Sequence, residues 1–157
     1  MRIQDPVPGP EGLPAIGWLE RVALPLWGIP GIRAKSDTGA RSSAIDVANL
    51  VELPGGRVSF EVILDRRTPE DHRVVEASIV RKARVRSSNG QAHDRLFVRT
   101  EMEIGSHRVE VELGLVRRPK LVCRMLLGRR ALEGHFLVDA GRSYLISMRR
   151  PRRRRSR

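Results

Sequence analysis

The most constraining feature of the sequence is a two-residue alternation of apolar and polar side chains, which begins near Trp18 and recurs along most of the chain. Successive side chains of a β-strand point to opposite faces of a sheet, so this period predicts strands with one buried face. The clearest apolar sets are Val58, Phe60, Val62 and Leu64; Leu96, Val98, Thr100, Met102 and Ile104; and Val109, Val111, Leu113 and Leu115. Turn-forming residues interrupt the alternation at 53–56, 87–90, 105–107 and 139–142. The pattern predicts a mostly β fold, a small closed antiparallel barrel.

The length and composition fit one such domain with flexible ends. A chain of 157 residues with 40% apolar side chains is sufficient for one modest core. We predict a Pro- and Gly-rich arm over residues 1–14, a folded domain over 15–148 and a disordered Arg-rich tail over 149–157. One short C-terminal helix is predicted at 129–134, because Gly134 can supply the left-handed residue that commonly ends a helix.

The formal net charge of +12 is concentrated at the C-terminus. The last nine residues, RRPRRRRSR, include seven arginines and no acid. Such a run either attracts RNA, ribosomal surfaces or acidic peptides by releasing counterions, or serves only as a solubilising appendage. Both interpretations stay open.

The cysteine count and the hydropathy indicate the compartment. Cys123 is the only cysteine, which excludes an intrachain disulfide framework and a four-cysteine zinc site. The N-terminus lacks the charged region and apolar run of a signal peptide, and no window reaches the roughly 18 apolar residues of a membrane span. We expect a soluble cytoplasmic protein with no membrane partner.

Motifs for metal, nucleotide, and serine or cysteine chemistry are absent from the sequence. There is no H-E-x-x-H, and the four histidines do not have ligand spacing. There is no Gly-rich phosphate loop and no G-x-S-x-G, and Cys123 lies in the apolar-basic stretch LVCRMLLG, where a buried strand residue is expected. We therefore predict no metal site and no cofactor.

The segment AKSDTGARSSA, residues 34–44, is the remaining candidate for chemistry. Asp37 follows a predicted strand whose Ile32, Ala34 and Ser36 share one face, and it opens the turn DTGA. Aspartate is also a common first residue of turns, so Asp37 alone does not indicate catalysis. A second segment, MLLGRRAL at 125–132, places two apolar residues and a glycine before the predicted helix.

The two segments together resemble retropepsin-like aspartic proteases over roughly residues 18–148. In those enzymes a D-T-G-A loop and a downstream apolar-apolar-Gly-Arg segment form the two halves of the active-site support. The stretches KSDTGARSSA, VRSSNGQAHDRLFVRT, MLLGRRAL and FLVDAGRSYLI narrow the resemblance to a bacterial and archaeal family of RimK-associated proteases, whose members are called ATP-dependent zinc proteases.

The resemblance implies roles for eight residues, and a departure from it suggests a role for a ninth. The catalytic group would comprise Asp37, Thr38 and Gly39. Support for the active site would come from Ala40, Leu126, Leu127, Gly128 and Arg129. Arg41 departs from the retroviral pattern, in which an acidic residue usually follows D-T-G-A, and a guanidinium at this position would bind substrate carboxylates. Because D-T-G occurs once, the second catalytic aspartate would come from another copy in a C2 homodimer.

The same resemblance implies an acidic substrate. RimK-type ligases add glutamates to a ribosomal protein, so the family implies an endopeptidase acting on such tails, with the ribosome and a RimK-type ligase as partners. Despite the family name, the residues predict an enzyme independent of metal and ATP. Two departures from the family pattern are Ser36, where Val is usual, and AIDV (44–47), which replaces Ala-Leu-His-Ala and removes a histidine.

Several alternatives stay open from the sequence. Arg41 could instead pair with a structural carboxylate such as Asp46 or Glu133, and either 65–73 or 85–91 could form a flap hairpin over the substrate. The chain could also be a non-catalytic basic β-barrel that binds ribosome or RNA, although its aromatic residues are few. A metallopeptidase is the least favoured alternative.

Overall fold

The computed structural model describes residues 12–65, 67–86, 90–118 and 122–148. Within these ranges the chain forms β-strands, a 3₁₀ turn at Pro25–Trp27 and one α-helix, α1. The elements are β1 Ala15–Leu24, β2 Ile29–Ser36, β3 Ser43–Asp46, β4 Ala48–Leu53, β5 Arg57–Ile63, β6 His72–Ser78, β7 Arg81–Arg86, β8 Ala92–Ile104, β9 His107–Val116, β10 Met125–Leu127, α1 Arg129–Leu132 and β11 Leu137–Ser143. The mostly β fold class is confirmed. The predicted arm up to residue 11 and the predicted tail lie outside the described residues.

The strands form a main sheet and a small sheet. The main sheet has the order β11-β1-β2-β10-β3-β9-β8-β7, and the small sheet has the order β4-β5-β6. One residue pair between β1 and β8, Ala23 with Glu103, closes most of the main sheet into a ring. The prediction of an antiparallel barrel is wrong in part, because three strand pairs are parallel. Strand β10 lies between β2 and β3, which run in opposite directions, so it is parallel to β2 and antiparallel to β3. The pairs β3–β9 and β1–β11 are also parallel.

The alternation predicted the core correctly. Nearly all members of the three apolar sets are buried, and only Leu64 is half-buried. Phe60, which is fully buried, makes an edge-to-face contact with Trp27 at a ring-centroid distance of 5.3 Å. Most of the core consists of Val, Leu and Ile. Full burial of one such side chain contributes about 1.5–3 kcal/mol, so these aliphatic residues compensate for the scarcity of aromatic residues.

The predicted turns have mixed outcomes. A two-residue turn, Gly105–Ser106, joins β8 to β9, and the left-handed Gly55 and Gly56 turn the chain between β4 and β5. Residues 87–89 lie outside the described residues. The turn predicted at 139–142 is wrong, because these residues belong to β11 and bulge where the register with β1 shifts.

The helix prediction is confirmed in type and in its end. Helix α1 covers Arg129–Leu132, and Gly134, with φ of +73°, follows the cap residue Glu133. The 3₁₀ turn was not predicted. Cys123 is buried as predicted, although it precedes β10 instead of lying in a strand. In the described part of the chain, no helix is long and apolar enough to cross a membrane.

A buried carboxylate ties the last described segment to the first strand. Glu20 of β1 is 1% exposed and accepts hydrogen bonds from the backbone N–H groups of Gly17, Leu145, Ile146 and Ser147, and from the Ser147 hydroxyl. Burial acts to raise the pKa of Glu20, but the hydrogen bonds together outweigh it and hold the pKa below its usual value. We call this arrangement the Glu20 clamp.

We predict that Glu20→Gln lowers the free energy of unfolding at pH 7 by about 2–3 kcal/mol, because a neutral amide accepts these bonds less strongly and adds an N–H among donors. The depressed pKa means that the clamp stabilises the fold above the unfolded-state pKa and loses this contribution as the pH falls through the folded-state value. Urea denaturation at pH 7 and pH 3 tests this. If the difference in the free energy of unfolding between the variant and the wild type were the same at both pH values, the pH dependence of the clamp would be contradicted.

Candidate active site

The Asp37 loop, residues 37–42, connects β2 to β3 on either side of β10. Strand β10 pairs with β2 in parallel, Leu127 opposite Ser36, and with β3 in antiparallel fashion, Leu126 opposite Ala44. Directly after β2, the N–H of Asp37 donates to the Leu127 carbonyl at 2.8 Å. The loop therefore begins from a position held by a strand that comes from far along the chain.

Inside the loop, two backbone N–H groups turn back to Asp37. The N–H of Gly39 donates to Asp37 Oδ1 at 3.1 Å, and the N–H of Ala40 donates to the Asp37 carbonyl at 3.2 Å. The Asp37 side chain is half-buried, whereas Thr38 and Gly39 are exposed. The carboxylate is thus oriented by its own turn and remains open to a reactant.

The start of α1 supports the loop from below. The N–H groups of Arg129 and Arg130 donate to the carbonyls of Ala40 and Arg41, at 2.8 and 3.1 Å. The first N–H groups of a helix have no partner within it, so these loop carbonyls satisfy donors that would otherwise be free. Arg129 Nη1 also donates to the Thr38 carbonyl at 3.1 Å. The structure brings the predicted support residues to the predicted loop.

Gly128 lies where a side chain would not fit. It is buried, and its N–H donates to Ser43 Oγ at 3.0 Å. A Cβ at this position would be 2.5 Å from the Ser42 carbonyl oxygen and 3.0 Å from that of Ala40. Leu127 is fully buried beside it, and Leu126 is half-buried. The sequence reasoning missed Ser43, for which the only signal was a small hydroxyl residue one step after the loop.

Basic side chains surround the loop. Arg41, Arg129 and Arg130 are exposed, and no ion pair of Arg41 occurs among the described residues. The proposed pairing of Arg41 with Asp46 is wrong, because Asp46 Oδ2 is 2.6 Å from Arg124 Nη1 in a buried ion pair. The described contacts do not pair Arg41 with Glu133 either. The role of Arg41 towards substrate stays a prediction.

A cavity of about 170 Å³ lies beside the loop on the side of α1. Its charged and polar lining consists of Ser42, Arg99, Glu110, Glu112 and Arg130. This cavity combines both signs of charge. It connects the end of the Asp37 loop with the surface of β8 and β9.

Other chemical groups are not assembled into a site. In the described ranges, no three or more His, Cys, Asp or Glu side chains are grouped so that they could hold a metal ion. Burial raises the pKa of the Cys123 thiol, which keeps it protonated and a poor nucleophile. The two predicted flap segments join β5 to β6 in the small sheet and β7 to β8 in the main sheet, and position 66 and residues 87–89 are not described.

Comparison with known proteins gives a family match over most of the chain. Residues 15–149 match a family described as RimB-like, "Retropepsin-like aspartic endopeptidase RimB". A protein of Shewanella halifaxensis named "Probable alpha-L-glutamate ligase" is 35% identical over 136 residues, and one of Parasynechococcus marenigrum with the same name is 33% identical over 137 residues. Each match covers 83% of this chain but only 29% of the relative, so the chain spans less than a third of these ligases.

A solved structure supports the fold. A Legionella pneumophila protein of unknown function superposes with a TM-score of 0.70 and 22% identity, covering 85% of this chain and 98% of that protein. At this identity the likeness concerns the fold alone.

We predict that Gly128→Ala destabilises the protein by about 2–4 kcal/mol, because the new methyl group would meet backbone atoms of the Asp37 loop that cannot move independently. Thermal denaturation followed by circular dichroism measures the effect. Gly141→Ala is the matched control, since a Cβ there would have its nearest contact at an ordinary 3.4 Å. Equal melting temperatures for both variants would contradict the steric role of Gly128.

Proposed function

The chain belongs to the RimB-like family of retropepsin-like aspartic endopeptidases, and from this premise we propose that it is an aspartic peptidase whose active site is formed by Asp37 from each of two copies. The observation that carries the proposal is the Asp37 loop itself. It presents a half-buried carboxylate, with one oxygen held by the Gly39 N–H, on a support made by β10 and α1.

The chemistry of peptide hydrolysis requires two carboxylates with one shared proton. The ionised carboxylate takes a proton from a water molecule as its oxygen attacks the peptide carbonyl, and the protonated one donates its proton towards the carbonyl oxygen. The tetrahedral intermediate then collapses as the leaving nitrogen is protonated. Two carboxylates about 3 Å apart cannot both be ionised cheaply, so such a pair retains the proton that the reaction needs.

The chain supplies one of these groups. Asp37 is the only acid between residues 34 and 44, and D-T-G occurs once in the sequence. A two-fold axis beside the loop would place a second Asp37 opposite the first, and Thr38, which is exposed, would then face the partner loop. This geometry makes the homodimer a condition of catalysis.

The charges around the loop favour an acidic substrate. Three exposed arginines, Arg41, Arg129 and Arg130, lie in or next to the Asp37 loop. Guanidinium groups bind carboxylates through charge-assisted and often bidentate hydrogen bonds. The relatives named as glutamate ligases suggest the acid, so we propose cytoplasmic protein tails rich in glutamate, including oligoglutamylated ribosomal proteins, as substrates.

We predict that Asp37→Asn reduces the rate of cleavage of a protein with an oligoglutamate tail by at least about a thousandfold, because no group remains to accept the water proton. Mass spectrometry of the products measures this, and a thermal melt serves as the folding control. Neither chelator nor ATP should change the wild-type rate. Cleavage by a folded Asp37→Asn variant at the wild-type rate would exclude Asp37 as the catalytic acid.

We further predict that Asp37→Asn protein inhibits the wild-type protein by forming mixed dimers with it. If the site needs one Asp37 from each copy and subunits exchange freely, an equimolar mixture leaves only about a quarter of dimers with both carboxylates. The cleavage rate should therefore fall to about one quarter of the rate of pure wild-type protein at the same total concentration. A monomeric enzyme would retain one half. The measurement is the cleavage rate across mixing ratios, and a linear dependence on the wild-type fraction would contradict a shared site.

A further inference from the structure

The outer face of the β7–β9 hairpins carries a strip of charged side chains that the Asp37 loop does not use. We define the outer face as the side-chain face opposite the core. Its members are Arg81, Phe97, Arg95, Arg99, Glu101, Glu103, Arg108, Glu110, Glu112 and Gly114. Because strand side chains alternate, these residues lie on one side of the sheet while Leu96, Val98 and Met102 fill the core on the other.

The arginines of this face are paired with glutamates at one end, whereas at the other end two arginines lack a paired acid. Towards the 105–106 turn, Arg108 lies within 3.4 Å of both Glu101 and Glu103, and Arg99 lies 3.4 Å from Glu110. At the other end, neither Arg95 nor Arg118 forms an ion pair with a described residue. Arg118 lies just beyond β9, and its N–H is fixed by Asp46 Oδ1 at 2.8 Å. This end of the face presents uncompensated positive charge.

Two guanidinium groups at the basic end retain hydrogen-bond donors without partners. Arg81 uses Nε to bond Glu112 at 2.8 Å and lies 3.7 Å from the centre of the Phe97 ring, but its Nη2 has no partner. Arg95 Nε also has none. Buried N–H donors are usually hydrogen-bonded. Two unpartnered guanidinium N–H groups on neighbouring strands therefore indicate that an acceptor is missing.

Gly114 brings these groups together. A Cβ at Gly114 would be 2.9 Å from Arg95 Cδ and 3.0 Å from Phe97 Cε1, so both side chains pack over the bare glycine. Burial, together with the nearby Arg118 charge, lowers the pKa of Arg95. An anion placed between Arg95 and Arg118 would relieve the repulsion between these two guanidinium groups.

We propose that the basic end of the outer face, centred on Arg81, Arg95 and Arg118, is an exosite for the carboxylates of an acidic peptide. The strip leads from there towards the active-site loop. Arg95 and Arg99 are four residues apart on β8, about 13 Å, which is the length of about four residues of extended peptide. Arg99 lines the cavity whose rim includes Ser42 of the Asp37 loop. An acidic peptide held at the basic end could therefore reach the cavity beside the Asp37 loop with about four further residues.

This inference rests on the proposed function for its choice of ligand, and a binding experiment separates the two. Fluorescent hexaglutamate is titrated with Asp37→Asn protein, which cannot cut it if the proposed function holds. Arg95→Gln with Arg118→Gln in that background should weaken binding by about tenfold, because two cations and their donors are lost. Arg57→Gln with Arg142→Gln removes the same charge from β5 and β11, outside the strip and the two candidate flap segments, and should change binding less than twofold.

The outcomes discriminate between sources of anion and between the two proposals. Equal losses for both double variants would overturn the exosite in favour of general charge attraction. Tighter binding of an oligouridylate of equal charge, lost with Arg95 and Arg118, would overturn it in favour of a nucleic acid. If the double variant is unfolded by circular dichroism, the exposed Arg118→Gln alone should still weaken binding, and no change would refute the site. If the wild-type protein binds hexaglutamate but does not cleave it, the proposed function would be contradicted and the exosite would not.

Discussion

The insertion of β10 between β2 and β3 is the constraint on which the rest of the structure depends. Those two strands flank the Asp37 loop, and without an intervening strand they would form an ordinary hairpin with the loop as its flexible tip. Hydrogen bonding on both edges of β10 separates them and holds the loop at its base, where the Leu127 carbonyl receives the Asp37 N–H. Gly128 then allows the chain to pass beneath the loop at a distance that no other residue permits. The orientation of one carboxylate thus depends on contacts with a segment from the far part of the chain.

Much of the fold could be predicted from local pattern, because period-two burial and glycine turns are local properties. The core sets on β5, β8 and β9 and the end of α1 at Gly134 follow directly from residue order. The pairing of Asp37 with the segment around Gly128 could be predicted only through resemblance, since neither motif is distinctive alone. Relations between distant strands could not be predicted from the sequence. These are the three parallel pairings and the bulge of β11 opposite Gly17, where the turn-forming residues at 139–142 had predicted a turn.

The two buried acids among the described residues, Asp46 and Glu20, show the same limit. The sequence offered Asp46, four residues after the loop, as a partner for Arg41. In the structure Asp46 pairs with Arg124, because the chain before β10 runs beside the end of β3, and the two buried charges compensate each other. Glu20 finds no cation at all and is stabilised by N–H groups instead. Which solution a buried acid takes depends on the tertiary neighbours, so residue type alone did not distinguish them.

The Glu20 clamp has a consequence for the order in which the fold can be completed. Glu20 receives donors from residues 145–147 and from Gly17, and the Gly17 carbonyl in turn accepts from Ser36 Oγ at 3.3 Å, one residue before Asp37. During synthesis, β1 and the Asp37 loop leave the ribosome long before β10 and residues 145–147. Until those segments have emerged, Glu20 has only the Gly17 N–H as a donor, and the loop lacks its hydrogen bonds with β10 and α1. A nascent chain therefore carries Asp37 before the contacts that orient its loop have formed.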